Sequence, residues 1–372
     1  MPVVAAGGMK SVRVRPFVAS DLPRVEEMCR GVYGGTDYMP RMAMHYAGKP
    51  GTCVLVLEEE EAEGEGGEGA SSGGEAGEGV ADRGNTGGVG VGTSYLAGLG
   101  GMSRRRADVG GGGAVAWMFG LRTCETRRGR GLARQMLRAL EKEADGCTHC
   151  MTATVRENAT MVRMLGQFGY EEEDEVVVWP VWTKFHEASE TLAKQVEGER
   201  MAYLDCLATA DPLASEALRL GTGCREDCEW VQCEGPDEFV NACAEVRLGD
   251  AGGKGRAPLW FPSEYNAYPA ACEDSEAWVR DGQCWVLRSG GKPVCVARVY
   301  RSMEMRDRAC LAALVTDATA VSSAVAHASQ IFGTAHPFAC FLAGPGARPG
   351  RGPFSDAPGL HESFNVYLKS MA

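Results

Sequence analysis

The chain has 372 residues, enough for two domains of ordinary size, and carries 38 basic and 50 acidic side chains for a net charge of −12. Nine Glu and one Asp fall in residues 58–82 without any Lys or Arg, so this stretch contributes −10 and the rest of the chain −2. A nearly neutral remainder lacks the basic surface of a nucleic-acid-binding protein, and no apolar run approaches the eighteen or so residues of a membrane span. We therefore expect small-molecule partners, with no nucleic acid and no membrane.

The fifteen cysteines are irregularly spaced. Because no apolar signal sequence is recognisable, they indicate free thiols in a reducing compartment, and we expect a cytoplasmic protein. Cys147 and Cys150 form a C-x-x-C without a second pair at zinc-binding spacing, and the histidines show no metal-like spacing either. No metal is predicted.

Apolar periodicity predicts a series of strands and helices in the first 123 residues. The predicted strands are 11–18, 53–57, 92–102 and 114–123, and the predicted helices are 21–32, capped by Ser20 or Asp21, and 42–47. Residues 103–113 are predicted as a Gly- and Arg-containing loop. The segment 58–91 is an acidic, Gly-rich insertion that cannot bury enough apolar surface to offset chain entropy, and we expect it to be disordered.

The sequence Arg128-Gly129-Arg130-Gly131-Leu132-Ala133 follows the strand 114–123 and opens an amphipathic helix that ends near residue 145. Glycines at such a turn let the backbone approach a ligand closely, and the first helical turn offers N–H groups that have no partner of their own. A pyrophosphate would satisfy them, and nearby arginines would match its geometry. The Gly-Lys-Ser/Thr of a Walker loop and the G-x-G-x-x-G of a dinucleotide-binding loop are both absent. The alternative is an ordinary basic helix start.

The remaining patterns complete one α/β unit and predict a second. In the first unit they predict strand 151–155, helix 158–168 and strand 176–182, followed by a polar helical connector at 183–206. Residues 207–372 are predicted to repeat the first unit in degenerate form, with a hairpin of 284–288 and 294–300, strands 309–315, 338–343 and 364–369, and helix 319–331. Thr316-Asp317-Ala318-Thr319 replaces the glycine loop there, so no phosphate site is expected in this unit.

Two motifs resemble the GNAT acetyltransferase superfamily. Arg128, Gly131 and Ala133 fit its acyl-CoA loop R/Q-x-x-G-x-G/A, and Asn158, Gly169 and Tyr170 fit its pattern N-x-x-A-x-x-L-Y-x-x-x-G-F. The resemblance implies an α/β (α+β) fold with a mixed, splayed central sheet over residues 10–182. It also implies that residues 207–372 form a degenerate GNAT-like domain without the CoA loop.

The resemblance further implies an acetyl-CoA site. Backbone groups of Leu121, Arg122 and Thr123 would bind the pantetheine arm, Asn158 would contact CoA further along, and the pyrophosphate would be held by Arg128, Gly129, Arg130, Gly131, Leu132 and Ala133. The sequence departs from the family where Leu165 replaces the tyrosine that protonates the leaving thiolate and Phe119 replaces a frequent carboxylate base. The general acid and base are therefore not identified.

The segment Gly31 to Arg41 is similar to that of the histidine N-acetyltransferase-like proteins of vertebrates. In that setting Asp37 would pair with an α-ammonium, and Tyr33 or Tyr38 would stack on or hydrogen-bond a small substrate, although ordinary turn chemistry and packing explain the same residues. The implied activity is transfer of an acetyl group from acetyl-CoA to the α-amine of a small acceptor such as histidine. The alternatives are a protein N-terminal or lysine acetyltransferase, and a catalytically weakened CoA-binding or interaction protein.

Overall fold

A computed structural model describes residues 12–32, 37–60, 94–107, 113–179, 228–248, 259–263, 266–302, 308–332, 339–344 and 362–371. The first half contains β1 (Val12–Pro16), α1 (Leu22–Cys29), α2 (Met39–Tyr46), β2 (Thr52–Glu60), β3 (Ser94–Ala107), β4 (Gly113–Thr123), α3 (Leu132–Glu143), β5 (Cys147–Val155), α4 (Ala159–Gln167) and β6 (Glu171–Trp179). The predicted order of strands and helices is thus confirmed. Tyr33, residues 61–91 of the predicted insertion and the predicted connector lie outside the described residues.

The second half contains β7 (Cys228–Gln232), α5 (Pro236–Leu248), β8 (Trp260–Ser263), β9 (Asn266–Pro269), α6 (Glu273–Arg280), β10 (Cys284–Ser289), β11 (Lys292–Ser302), β12 (Arg308–Val315), α7 (Ala318–Phe332), β13 (Ala339–Ala343) and β14 (Glu362–Ser370). The predicted hairpin, strands and helix are confirmed. The elements from β7 to α6 carried no prediction. Asp317 caps α7, since its Oδ1 accepts the N–H of Ala320 at 2.9 Å, and this replaces the glycine loop of the first half.

Twelve of the described strands form one mixed sheet in the order β1-β2-β3-β4-β5-β14-β6-β13-β12-β11-β10-β7. The pairs β4/β5 and β12/β13 are parallel, each bridged by a helix, and the other pairs are antiparallel. The two halves therefore repeat the same strand arrangement, as predicted. β8 and β9 form a separate two-stranded sheet.

The middle of the sheet joins the two halves through exchanged strands. β14, from the end of the second half, lies between β5 and β6 of the first, with Val366 opposite Ala153 of β5. β6 in turn pairs with β13 of the second half. Each half thus receives its neighbour strand from the other, and neither half completes its share of the sheet from its own sequence alone.

Two strands of the first half, β2 and β3, continue past their predicted C-terminal ends. β2 continues to Glu60, three residues into the predicted disordered insertion. Glu58 accepts hydrogen bonds from Arg15 and Arg24, and the hydrogen bonds from Arg15 are the main reason that the pKa of Glu58 falls to about 2. β3 continues to Ala107 and includes residues that the sequence analysis assigned to a loop.

The predicted cap of the first helix is also corrected. Asp21 occupies the N-cap position of α1, but its carboxylate forms no capping hydrogen bond to the helix. It instead accepts two hydrogen bonds from Arg15, each 2.7 Å long. A bidentate pair with a cation is stronger than a neutral cap, so the carboxylate turns toward β1.

The described part of the chain contains thirteen of the fifteen cysteines. None of the thirteen cysteines found there forms a disulfide bond, and ten of them are buried. Among the described residues, no three His, Cys, Asp or Glu side chains lie close enough together to hold a metal ion. None of the described helices has the length and apolar character required to cross a membrane.

Candidate active site

The parallel strands β4 and β5 separate in the middle of the sheet. Their register begins at Ala114 and Cys147, and among the described residues the last pair joins Trp117 to Met151. On its other edge β5 pairs with β14 from His149 to Val155. The second half of β4 is therefore left with backbone groups facing an opening in the sheet, which is the splayed geometry that the sequence predicts.

A bulge in β4 lies beside this opening. The register with β3 shifts between Leu99 and Gly101, and Gly120 adopts a φ of +63°. A side chain at Gly120 would overlap the sulfur of Met39 in α2, so both the backbone conformation and the space require glycine. The bulge interrupts the regular pairing of β4 with β3, and β4 backbone groups released from that pairing can bind an extended ligand or stabilise a developing negative charge.

The glycine loop lies after β4 as predicted. Gly129 and Gly131 have φ values of +79° and +77°, and Gly131 is the N-cap residue of α3. A Cβ built at either glycine meets no atom within 4 Å, so the space beside both glycines is open. The N–H of Gln135 donates to the carbonyl oxygen of Gly131 at 3.1 Å, which is the first hydrogen bond of the helix. The N–H groups of the three residues before Gln135 have no carbonyl one helical turn earlier to which they could donate. These features fit a phosphate group.

A buried carboxylate holds two arginines beside the loop. Glu59, at the end of β2, has a side chain that is 1% exposed, and its Oε2 lies 2.7 Å from Arg130 Nη1 and 3.3 Å from Arg127 Nη1. Its Oε1 has no hydrogen-bond partner in the described part of the chain. The Arg130 side chain remains 39% exposed, so it is positioned by Glu59 while still open to a ligand.

The remaining residues of the predicted CoA site occupy three positions around the opening. Leu121, Arg122 and Thr123 form the end of β4, with Arg122 opposite Leu99 of β3 in the bulged register. Leu132 is buried under the loop, whereas the Arg128 side chain is 61% exposed. Asn158 is the N-cap of α4 and accepts the N–H of Met161 at 3.2 Å, so part of its hydrogen-bonding capacity is used within the chain.

The side chain at the position of the expected catalytic tyrosine is enclosed by the core. Leu165 is 0% exposed and packs in the cluster between α3, α4 and the sheet. Tyr170 does not replace the missing acid, because it is buried on the α3 side and its hydroxyl donates to Met118 Sδ at 3.4 Å. Phe119 is partly buried and packs against Tyr46 with ring centres 4.8 Å apart.

The two described residues of the predicted acceptor site contact β4. Arg122 donates to both Asp37 oxygens at 2.8 and 3.1 Å, and Met39 N–H donates to Oδ1 at 3.0 Å. The Asp37 side chain is 1% exposed, and a buried carboxylate requires such partners. The Arg122 guanidinium lies 5.6 Å from the centre of the Tyr38 ring. Pairing of Asp37 with an acceptor ammonium stays a prediction, since in this structure Asp37 orients Arg122.

A cleft of about 800 Å³ lies between the two halves, on the sheet face that carries α2. Its walls come from α2 and the end of β3 in the first half, and from β9, α6 and β11 in the second half. Seven Arg and Lys side chains line it, against two carboxylates, Glu273 and Asp274. Tyr46 lines this cleft and also packs on Phe119, which connects the cleft to the bulge of β4.

His45 lines the cleft as an exposed imidazole near α2's C-terminal end. Its Nε2 accepts a hydrogen bond from Lys49 Nζ at 2.6 Å, because an ammonium can only donate. Partial burial, followed by the positive charges of Lys49 and Arg41, lowers the pKa of His45 below its usual value. The ring is therefore neutral at pH 7 and able to accept a proton.

Sequence reasoning missed two features of this site. Glu59 was assigned to the acidic insertion, and the arginines 104–106 were assigned to a loop, whereas both belong to strands. The signal for Glu59 was its place at the end of an apolar strand run. The cleft itself depends on residues of both halves and left no local signal.

Comparison with known proteins gives a family match for part of the chain. Residues 81–170 match the sequence profile of the acetyltransferase (GNAT) family, a stretch that includes β3, β4, the glycine loop, α3, β5 and α4. A search of curated protein sequences found no match.

Several solved structures are similar to this chain at low sequence identity. A GCN5-related glucosamine N-acetyltransferase region of a fungal multi-domain GH3 β-N-acetylglucosaminidase is 8% identical over 99% of this chain and 39% of that chain, with a TM-score of 0.50. A GCN5-related N-acetyltransferase from Sphaerobacter thermophilus is 10% identical over 96% and 95% of the two chains, with a TM-score of 0.48. Arabidopsis thaliana NAA60, in complex with a bisubstrate analogue, is 15% identical over 45% and 88%, with a TM-score of 0.33.

Proposed function

Because this chain carries a GNAT acetyltransferase segment at residues 81–170, we propose that it is an N-acetyltransferase that moves an acetyl group from acetyl-CoA to the α-amine of a small acceptor, an amino acid such as histidine. The observation that carries the proposal is the opening between β4 and β5 beside the open glycine loop at the start of α3. Acetyl-CoA supplies the thioester, and the chain binds it, orients it and manages the proton of the amine.

The CoA side of the site uses mostly backbone groups. Amides of residues 129–133 and the guanidinium groups of Arg128 and Arg130 bind the pyrophosphate, and the end of β4 from Leu121 to Thr123 binds the pantetheine arm. Asn158 contacts CoA through the amide nitrogen, since its oxygen caps α4. Positioning by these groups provides most of the rate enhancement, because the reaction needs two reactants held in line more than it needs reactive side chains.

The acceptor approaches from the other face of the sheet, through the cleft. The second half covers this cleft with β9, α6 and β11, which leaves room for a small molecule and favours it over the open groove that a protein substrate requires. Tyr33, Asp37 and Tyr38 remain the proposed acceptor-binding residues, with Asp37 acting through Arg122 of β4. The position of the Arg122 guanidinium beside the Tyr38 ring supports a role for Tyr38 in stacking on the acceptor.

The acceptor ammonium must lose a proton before it can attack the thioester. His45 lines the cleft and is neutral at pH 7. The Lys49 ammonium donates a hydrogen bond to its Nε2, in the position where the acceptor ammonium would donate. We assign the proton-accepting role to His45, with the acceptor ammonium replacing that of Lys49. The chain then needs no carboxylate at position 119, where it has Phe119.

An amine panel tests the proposed function. Amino acids, short peptides and a protein N-terminal peptide are each incubated with acetyl-CoA, and release of free CoA thiol is recorded. Turnover with amino acids above turnover with peptides is the expected result. Preference for peptides would instead support a protein acetyltransferase, and thiol release no faster than the blank with every amine would reject the enzymatic proposal.

Replacing His45 by glutamine should lower kcat/KM by about 100-fold at pH 7, the usual contribution of a general base. Since the pKa of His45 lies below its usual 6.5, the wild-type advantage should persist at neutral pH and disappear as acid protonates the ring. The ratio of wild-type to variant rates, measured from pH 5 to pH 8, removes the shared effect of acceptor protonation. Lys49→Gln is the matched variant, because loss of this cation should move the acid limb to higher pH. A rate ratio that stays constant with pH would reject the role of His45.

A non-enzymatic function is the second candidate. The observation in its favour is that Leu165 is fully buried and Phe119 packs on Tyr46, so two positions that the family uses for proton transfer hold apolar side chains. A CoA-binding protein of this kind would bind acetyl-CoA normally and release no thiol with any amine.

A further inference from the structure

We propose that the cleft between the two halves binds an oxyanion, a carboxylate or a phosphate, that is carried by the acceptor amine, and that Arg105 and Arg298 bind it. The proposal rests on the proposed acetyl transfer, and it specifies the chemical class of the acceptor. Its basis is a pair of guanidinium groups, one from each half: among the described residues Arg105 has a single, half-exposed carboxylate nearby, Asp274, and Arg298 forms no ion pair with a carboxylate.

Arg105, on β3, is the buried member of the pair. Its side chain is 6% exposed, and its guanidinium stacks on the Tyr268 ring at 3.5 Å. In the described part of the chain it forms one hydrogen bond, from Nη1 to the carbonyl of Ala267 at 3.3 Å. Asp274 lies 3.7 Å from Nε, too far for a hydrogen bond, and is itself 52% exposed. A guanidinium has five N–H donors, so Arg105 is a buried cation with donors left for a ligand.

Arg298, on β11, is held by neutral partners. Its Nε donates to Gln283 Oε1 at 2.9 Å and its Nη1 donates to Ser263 Oγ at 2.7 Å. Its guanidinium lies 4.0 Å from the Trp278 ring centre and 3.7 Å from that of Tyr300. These contacts fix the orientation of the group without cancelling its charge, which is how proteins prepare arginine for a carboxylate or phosphate.

The two arginines belong to one continuous wall of the cleft. Arg105 stacks on the Tyr268 ring, and Arg298 lies over the Trp278 ring. These two rings pack edge to face, with their centres 4.9 Å apart. Arg105 and Arg298 therefore border the same aromatic surface. The excess of seven basic side chains over two acidic ones around the cleft attracts anions to this wall.

The distance to the bulge of β4 sets the size of the acceptor. Gly101, directly opposite Phe119, and Arg105 lie on the same face of β3 and are four residues apart, which corresponds to about 13 Å along the strand. The long arginine side chain shortens this span. A molecule that places its amine at the bulge and its oxyanion at Arg105 is then no longer than one or two amino-acid residues, and the aromatic wall accommodates a flat or apolar body.

Paired acceptors that differ in one oxyanion test the proposal. Histidine is compared with histamine, and phosphoethanolamine with ethanolamine, by thiol release from acetyl-CoA. In the wild type the member with the oxyanion should be preferred, and the better of the two pairs identifies carboxylate or phosphate as the source. Arg298→Gln should lower kcat/KM for the preferred acceptor with the oxyanion about 100-fold, as expected for a lost charge-assisted pair, and leave kcat/KM for the counterpart without the oxyanion within about threefold. The KM for acetyl-CoA should not change.

Two further variants secure the interpretation. Arg105→Lys keeps the charge but removes the planar fork, so it should reduce the same preference without unfolding the chain. Arg288→Gln removes an arginine of the second half that pairs with Glu238 at 3.4 Å outside the cleft, and it should leave the preference unchanged.

The outcomes separate the two proposals. Turnover of both members of each pair at equal kcat/KM would overturn the oxyanion site and leave the acetyl transfer intact. Absence of turnover with every amine would reject the acetyl transfer, and calorimetric binding of N-acetylhistidine against N-acetylhistamine would then test the cleft directly. Tighter binding of N-acetylhistidine, lost in Arg298→Gln, supports the site, and equal binding of the two compounds overturns it.

Discussion

Combining Gly131→Val with Arg130→Gln is expected to raise the Kd for acetyl-CoA about 100-fold, the cost of roughly two lost charge-assisted hydrogen bonds. Valine at a φ of +77° forces the first turn of α3 out of the conformation that presents its amides, and glutamine removes the guanidinium that Glu59 holds beside the loop. Glutamine is used because a carboxylate at position 130 would face the buried Glu59. Titration calorimetry with acetyl-CoA measures the effect.

A matched glycine separates binding from stability in this experiment. Gly146 follows α3, has a φ of +81° and, like Gly131, has no atom within 4 Å of an added Cβ. Gly146→Val should therefore cost about the same 1–2 kcal/mol of backbone strain as Gly131→Val and leave the Kd for acetyl-CoA unchanged. S-acetylpantetheine, which lacks the diphosphate, should bind wild type and double variant equally. A double variant that binds acetyl-CoA as the wild type does would reject the phosphate loop.

The elements that the sequence predicted are those with a local cause. Glycines required at positive φ, such as Gly129 and Gly131, identify the loop at residue level, and an apolar strand before them identifies β4. The same is true of the hairpin of β10 and β11, where Gly290 and Gly291 form the turn. Consecutive residues determine the local backbone geometry, so these predictions needed no information about tertiary contacts.

What the sequence did not predict depends on contacts between distant residues. Asp37 looks like a free carboxylate in its turn, and only the fold brings Arg122 to it, 85 residues away. Arg105 follows a Gly-rich run and looks like a loop residue, yet it is buried because Tyr268, from the second half, stacks on it. Pairings of this kind are decided by the final topology, so the acceptor cleft could not be read from either half alone.

The exchange of β14 and β6 is the topological feature with the largest consequence. A strand between two neighbours contributes hydrogen bonds and apolar contacts to both, and β14 is flanked by β5 on one side and β6 on the other. The side chains from Phe364 to Tyr367 are all buried. Because β14 pairs with β5 along the edge opposite β4, the last strand of the chain supports a strand that borders the opening beside β4.

A charge in β14 should therefore weaken acetyl-CoA binding more than 200 residues away. Val366 is 0% exposed, and Val366→Asp buries an uncompensated carboxylate at a cost of about 3 to 5 kcal/mol. Both halves should lose stability in one cooperative thermal transition, with a midpoint lower by roughly 10 °C, and calorimetry should show weaker acetyl-CoA binding near that temperature. Ser370→Asp adds the same charge at an exposed position of the same strand and should change neither quantity.

The isolated first half tests whether β14 is required to form the acetyl-CoA site. Residues 10–182 alone would leave β5 and β6 without the strand that separates them, with the buried side chains of Met151 and Val176 losing cover from β14. We expect this fragment to show no cooperative unfolding and no acetyl-CoA binding. Since the glycine loop and all of β4 are present in it, a fragment that binds acetyl-CoA with wild-type affinity would demonstrate that residues 10–182 are an independent domain and that the exchanged strand has no part in forming the site.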